Sequence, residues 1–137
     1  MIILDTNVWI AYLNESDSLH RKAAILFSNI SEQIIIPEYV LVEASNILAV
    51  RQSHAGAVNF LQLALENKEA NILPSNPDFL SEITKFFCSH DWRGLSFVGS
   101  TLLYLSQTYT VLTFDKQLAR AIKLSQSEIH SRGKIKK

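Results

Sequence analysis

The sequence predicts an α/β fold in which helices cover both faces of a parallel sheet. Short, continuous runs of Ile, Val and Leu alternate along the chain with longer segments that have apolar residues at helical spacing. Strands that are apolar on both faces, separated by helices, are typical of a buried parallel sheet. The length of 137 residues fits one compact domain with a core of its own.

Four segments are predicted as strands because each is short, apolar or β-branched, and followed at once by a residue that ends it. The terminating residues are Asp5, Pro37, Pro74 and Asp115. The predicted strands cover residues 2–4, 34–36, 70–73 and 110–114.

Helical spacing predicts seven helices between and after these strands. Ser96 is expected to be the N-cap of the sixth. Residues 1–125 are predicted to form the domain, and the polar and basic residues 126–137 a C-terminal tail that is more disordered than structured. The predicted helices cover residues 8–13, 19–30, 38–52, 55–67, 78–90, 97–107 and 116–124.

Composition narrows the class of protein. The 13 basic and 13 acidic residues cancel, which gives no support to a generic polyanion binder, although a local basic patch stays open. The single cysteine, Cys88, cannot form an internal disulfide, which favours a reducing compartment. No run approaches the ~18–20 apolar residues that span a bilayer. We therefore expect a cytoplasmic protein without membrane contact.

Two aspartates follow predicted strands directly. Asp5 ends the first strand and Asp115 follows the fourth. The functional crevice of a parallel sheet lies beyond the carboxyl ends of its strands, so neighbouring strands would bring both acids into one crevice. Each aspartate alone is equally well explained as a helix N-cap. The pair at equivalent strand ends favours a site.

Glu43 is a third acid of the same kind, because it lies in an apolar run about two turns into the third helix. A carboxylate buried there needs a partner, although an exposed helix face or a salt bridge is the alternative. Three close carboxylates would raise one another's pKa values, and a divalent cation removes that conflict. Oxygen ligands suit Mg²⁺ or Mn²⁺, and such an ion can acidify a bound water and shield a phosphate. The chemistry indicated is phosphodiester hydrolysis.

Other polar residues flank these acids. Thr6, Asn7 and Thr113 are expected to orient a carboxylate or a metal-bound water, with turn and cap hydrogen bonding as the alternative. Cations that hold phosphates are expected near the acids of a nuclease. Candidate cations for RNA are Arg93, Lys116 and Arg120, although a solvated charged face explains the last two as well.

Four motifs, in this order and spacing, resemble the PIN-domain family and its VapC-type toxins. They are residues 3–7 (ILDTN), Glu43 in the helix after the second strand, residues 95–98 (LSFV) before a helix, and residues 113–115 (TFD) after a late strand. The resemblance covers nearly the whole chain. It implies an α/β/α sandwich, Mg²⁺- or Mn²⁺-dependent ribonuclease activity, a homodimer and a cognate antitoxin. By position, Asp5, Glu43 and Asp115 match the family's catalytic and metal-binding acids.

Gly99 departs from the family's pattern, which places an aspartate at the start of this helix. Ser100 beside it cannot supply the missing charge; a three-acid site in which Ser100 or a water fills the gap is the alternative. Glycine inside a helix costs about 0.5–1 kcal/mol relative to alanine, so an inactivating substitution or a loss of activity is favoured over a site that works with three acids. A non-catalytic PIN-scaffold protein that binds RNA or an antitoxin is the alternative function.

A third class, phosphoryl transfer of the haloacid-dehalogenase or receiver type, also uses aspartates at strand ends. The first of these requires an acid two residues after Asp5, where this chain has Asn7. The second requires adjacent acids after the first strand, where this chain has Thr6 and Asn7. Neither pattern is satisfied.

Overall fold

The four predicted strands form one parallel sheet. A computed structural model describes residues 1–89, 91–92 and 94–135 of the chain, with side chains to residue 133. The fourth strand ends at Leu112, two residues earlier than predicted, because Thr113 and Phe114 form the turn that leads to the next helix. The strands are β1 (Ile2–Leu4), β2 (Ile34–Pro37), β3 (Ala70–Leu73) and β4 (Thr110–Leu112).

The order of strands in the sheet is β3-β2-β1-β4, so β1 lies between β2 and β4. Ile3 pairs with Ile35 on one side and with Val111 on the other. The chain therefore extends the sheet in one direction from β1 to β3 and then returns to add β4 on the opposite side. The junction of β1 and β4 is the topological switch point, where open α/β sheets have their ligand crevice.

Seven helices in the described ranges flank the sheet and confirm the predicted α/β/α architecture. Six of them agree with prediction to within two residues at each end. The helices are α1 (Thr6–Leu13), α2 (His20–Ser28), α3 (Glu38–Arg51), α4 (His54–Glu66), α5 (Pro77–Ser89), α6 (Phe97–Leu105) and α7 (Lys116–Ile135).

The last helix is longer than predicted. We expected α7 to end at Leu124 because the chain becomes polar there, but it continues to Ile135. Polarity indicates that a helix faces solvent, not that it ends, and no proline or glycine interrupts the chain between Asp115 and Gly133. The expectation of a disordered tail is therefore wrong as far as residue 135. The placing of a domain boundary at residue 125 stays a prediction.

The core lies on the strands and the inner faces of the helices. Ile3, Leu4 and Ile36 of the sheet are fully buried. Trp9 of α1 is also buried, with its ring centroid 5.2 Å from that of Phe27. Burial of this kind stabilises by about 1.5–3 kcal/mol per large apolar side chain and holds the helices at fixed positions on the sheet. None of the helices in the described ranges combines the length and apolar character needed to cross a bilayer.

Candidate active site

Pairing of β1 with β4 brings the first and last predicted acids to one edge of the sheet. Leu4 is in register with Leu112, and the backbone N–H of Asp5 donates to the carbonyl of Leu112 at 2.9 Å. Asp5 therefore leaves its strand beside Thr113, two residues before Asp115. The two strands are neighbours, which is the condition under which both acids were expected to reach one crevice.

Asp5 is the N-cap of α1 and also lines the crevice. It precedes α1 with extended backbone geometry, and its Oδ1 accepts a hydrogen bond of 2.7 Å from the backbone N–H of Thr6. Its Oδ2 accepts one of 2.6 Å from the hydroxyl of Thr113. The residue is only 8% exposed. Both of its carboxylate oxygens are thus held in place before any ligand binds.

The hydroxyl of Thr113 connects the two aspartates. It donates to Asp5 and accepts a hydrogen bond of 2.9 Å from the backbone N–H of Asp115. Asn7 supports the same turn, because its Oδ1 accepts from the backbone N–H of Phe114 at 3.2 Å. Both roles predicted for Asn7 and Thr113, orienting a carboxylate and forming a turn, are therefore present in one hydrogen-bond network.

Asp115 is the N-cap of α7. Its Oδ1 accepts hydrogen bonds from the backbone N–H groups of Gln117, at 2.8 Å, and Leu118, at 3.3 Å. These are the second and third N–H groups of the helix, which have no partner within it. The cap leaves Oδ2 of Asp115 without a hydrogen bond among the described residues. This oxygen is the part of Asp115 available to a ligand.

The three predicted acids line one crevice of about 360 Å³. Glu43 reaches it from α3, where it is half-buried and makes no ion pair or hydrogen bond within the described residues. Asp5 and Asp115 reach it from the sheet edge. The described lining comprises Asp5, Thr6, Asn7, Ile10, Asp17, Leu19, Glu43, Ile47, Arg51, Gly94, Leu95, Ser96, Val98, Gly99, Asp115 and Leu118.

Burial raises the pKa of Asp5 above its ordinary value. The two hydrogen bonds, from Thr113 and from the backbone of Thr6, act in the opposite direction. The negative charges of Glu43 and Asp115 raise this pKa further, though less than burial does. An acid that is desolvated and close to two others is typical of a functional site, where a bound cation would favour the charged form.

Position 99 belongs to the same crevice. Ser96 is the N-cap of α6, as predicted, and its Oγ accepts from the backbone N–H of Gly99 at 3.0 Å. A Cβ atom at position 99 would have the hydroxyl of Ser96 at 3.4 Å and Leu95 Cδ2 at 3.6 Å, which are ordinary contacts. Gly99 has no positive φ angle. Neither backbone geometry nor space requires glycine here. By contrast, Ser100 is 3% exposed and does not line the crevice.

The candidate ligand atoms are of the type that a hard divalent cation prefers, but there are too few of them. All its ligand atoms would be oxygens. The hydroxyl of Thr6, a residue that lines the crevice, is buried and has no hydrogen-bond partner among the described residues. Within the described ranges, however, no three His, Cys, Asp or Glu side chains lie close enough to form a metal-binding group. An acid at position 99 would add the donor that the crevice lacks.

Two of the cations predicted to bind RNA do not line the crevice. Lys116 and Arg120 are exposed on α7 and do not line the crevice, and Arg93 lies outside the described residues. Sequence reasoning missed two charged residues that do line it, Asp17 and Arg51. Arg51 could have been found, because it lies eight residues after Glu43 on the same helix. Asp17 lies in the loop between α1 and α2, where spacing carries no such signal.

The model of the PIN domain matches residues 2–124 of the chain. The chain belongs to the PIN-domain family. The match runs from β1 into α7, so this PIN domain contains all four strands and every acid of the crevice. No curated protein sequence matches the chain.

Solved structures show the same fold. VapC20 of Mycobacterium tuberculosis, a Sarcin-Ricin loop cleaving toxin, superposes with a TM-score of 0.79 over 88% of this chain and 95% of that chain, at 23% identity. FitAcB of Neisseria gonorrhoeae gives a TM-score of 0.59 over 90% of this chain and 94% of that one, also at 23% identity. Similarity at this identity establishes the architecture.

Proposed function

We propose that this PIN domain is a Mg²⁺- or Mn²⁺-dependent endoribonuclease toxin of a type II toxin–antitoxin pair, and that Gly99 leaves its site one ligand short. The observation that carries the proposal is the convergence of Asp5, Glu43 and Asp115 on one crevice that also includes position 99. The structural similarity to VapC20, a toxin that cleaves RNA, supports the choice of substrate.

Asp5, Glu43 and Asp115 would hold the cation. When bound, it supplies a water of lowered pKa and neutralises charge on the phosphodiester. Thr113 keeps Asp5 oriented through its 2.6 Å hydrogen bond, so the carboxylate does not have to reorganise when a ligand arrives. Asp115 keeps one oxygen on the helix cap and presents the other. Glu43 is free to move toward the other acids, because no described residue holds its carboxylate.

Restoring the acid tests the proposal. RNA cleavage is measured for the chain, Gly99→Asp and the matched neutral control Gly99→Asn, each in Mg²⁺, in Mn²⁺ and in EDTA. We expect Gly99→Asp to cleave at least about 100-fold faster than the other two, the effect of one well-placed charged group at a reacting centre. Isothermal titration with Mn²⁺ is a second readout, in which Gly99→Asp alone gains affinity.

Two outcomes would contradict the proposal in different ways. Equal, cation-dependent cleavage by the chain and Gly99→Asp, lost in Asp5→Ala, would mean that three acids suffice and that Gly99 does not limit the reaction. Absence of cleavage by every variant, over RNAs of varied sequence and structure, would contradict the ribonuclease. It would favour a non-catalytic PIN-scaffold protein that binds RNA or an antitoxin, which the lack of a three-acid group also supports.

The proposed partners are a cognate antitoxin and a second copy of the chain. Support for the homodimer comes from apolar side chains at the surface, since Val42 is 51% exposed and Leu80 45% exposed, and both border a groove of about 630 Å³.

Light scattering after size exclusion tests the homodimer. Val42→Glu is expected to give monomer, and Val50→Glu, on the same helix but outside the groove, to leave the dimer intact. A monomeric parent chain would refute the dimer.

A further inference from the structure

Arg51 is the one lysine or arginine among the described residues that lines the acidic crevice. It lies in the last turn of α3, and its side chain is exposed. No described residue forms an ion pair or a side-chain hydrogen bond with it, although Asp17 lines the same crevice. Its guanidinium is therefore free to bind a ligand that enters from solvent.

The helix places Arg51 at a defined distance from the acids. Glu43, Ile47 and Arg51 are spaced by four residues, so they follow one another along one face of α3, and all three line the crevice. Eight residues of α-helix correspond to a rise of about 12 Å between Glu43 and Arg51. The backbone positions of Glu43 and Arg51 are thus about two helical turns apart, and a ligand that extends along this face can reach the acids at one end and Arg51 at the other.

The ligand that matches this spacing is a strand with repeated phosphates. An approaching phosphate is repelled by the carboxylates of Asp5, Glu43 and Asp115, and Asp17 adds a further negative charge to the lining of the crevice. A guanidinium at the far end offers a planar, bidentate donor for a phosphate that does not react. Ile47 lies between the two, where the apolar face of a ribose or base can pack.

We propose that Arg51 binds a phosphate of the RNA strand adjacent to the scissile position, and so sets the direction in which the strand crosses the crevice along α3. The inference rests on the proposed ribonuclease function. It adds Arg51 to Arg93, Lys116 and Arg120, the cations that the sequence predicts to hold RNA phosphates. Arg51 acts on binding of the strand and does not touch the reacting phosphate.

Affinity for RNA tests the proposal on the full chain. Fluorescence anisotropy is measured with labelled 12-residue oligouridylate and oligoadenylate in Mg²⁺ at several salt concentrations, and gels confirm that the RNA stays intact. Arg51→Gln is expected to weaken binding of both RNAs about 5-fold and to reduce the slope of log affinity against log salt by about 0.7. Arg51→Lys keeps the charge but loses the bidentate fork, so it should keep the salt slope of the parent chain and only part of its affinity. Arg132→Gln, an exposed arginine on α7 away from the crevice, is the matched control and should leave both quantities unchanged.

A second readout separates positioning from a merely structural role. Arg51 also lies at the negative end of the α3 dipole, so its loss alone lowers helix stability slightly. In the Gly99→Asp background, Arg51→Gln is expected to raise KM about 5-fold at unchanged kcat, because the contact is the same in the ground and transition states. Destabilisation alone would lower the active fraction, and with it kcat, at unchanged KM.

The two proposals fail in distinguishable ways. If Arg51→Gln binds RNA with the same affinity and salt slope as Arg132→Gln, or if the chain binds no RNA, the role of Arg51 is refuted whatever the cleavage assay shows. If Gly99→Asp cleaves nothing but Arg51→Gln still weakens binding, the ribonuclease is refuted and Arg51 remains an RNA contact.

Discussion

The crevice has two sides that hold their charged groups differently. The sheet side, formed by Asp5, Thr113 and Asp115, is joined by hydrogen bonds to the backbone and to itself. The helix side, formed by Glu43 and Gly99, has one carboxylate without a hydrogen-bond partner among the described residues and one position without a side chain. Acids on the sheet side therefore serve the fold and the site together, whereas an acid on the helix side serves the site alone. Loss of an acid is structurally harmless only on the helix side, and position 99 is where this chain lacks one.

The largest effect is expected when Glu43, the acid of the helix side, is neutralised in the Gly99→Asp variant, which is expected to cleave RNA. In the Gly99→Asp background, Glu43→Gln should lower cleavage at least about 100-fold, because a donor to the cation is lost. The free energy of unfolding should change by no more than about 0.5 kcal/mol, since Glu43 has no partner to lose. Cleavage assays and urea denaturation check both parts. Glu66→Gln, at the exposed end of α4, is the control, and equal activity of the two variants would remove Glu43 from the site.

Truncation on the sheet side should instead cost stability. Asp115→Ala removes the cap from the first turn of α7, and the free energy of unfolding should fall by about 0.5–2 kcal/mol. Urea denaturation measures the change. Asp115→Asn keeps a capping oxygen and is expected to lose less. If Asp115→Ala is as stable as the parent chain, the sheet side is not held by its caps and the contrast with Glu43 disappears.

A smaller effect should follow from filling position 99 with a neutral side chain. Gly99→Ala is expected to stabilise the chain by about 0.5–1 kcal/mol, because the Cβ makes ordinary contacts and the unfolded state loses freedom. Gly94 is the opposite control, since its φ of 82° is a backbone conformation in which a residue with a Cβ is strained. Gly94→Ala should lower the free energy of unfolding. A destabilised Gly99→Ala would mean that glycine is structurally required at position 99.

The smallest effect concerns the pH dependence of Asp5. Its pKa is raised in the folded state, so the fold favours the protonated carboxyl, and this contribution is lost as pH rises through the raised pKa. The Tm of the chain relative to that of Asp5→Asn should therefore fall as pH rises from the ordinary aspartate pKa through the raised pKa of Asp5. Thermal melts at each pH measure it. A difference that grows with pH would mean that the hydrogen bonds from Thr113 and Thr6 outweigh burial.

Much of the sheet side was predictable because it depends on local rules. Continuous apolar runs predicted the strands, and the aspartates that end them were expected as N-caps and as acids of the crevice. Both roles are present at Asp5 and at Asp115. The hydroxyl of Thr113 as the connection between them was not predictable, since it depends on the register of β1 against β4.

The helix side of the crevice and the predicted RNA-binding cations were less predictable from the sequence. The spacing of Lys116 and Arg120 indicated one shared face of α7 but not which way that face points, and neither residue lines the crevice. The length of α7 was underestimated because a polar segment was taken for the end of a helix. Both points concern which surface meets solvent, which tertiary packing decides, and the RNA-binding role of Lys116 and Arg120 stays a prediction.

The amino-acid sequence by itself determined the α/β class, the strands, the caps at Asp5, Ser96 and Asp115, and the absence of an acid at position 99. These follow from side-chain chemistry and from contacts within a few residues of the chain. Only the tertiary structure decided that Glu43 and Arg51 share a crevice with Asp5 and Asp115, and that glycine at position 99 is not required by the backbone. Those facts depend on how separate helices pack against one sheet edge, which no local pattern specifies.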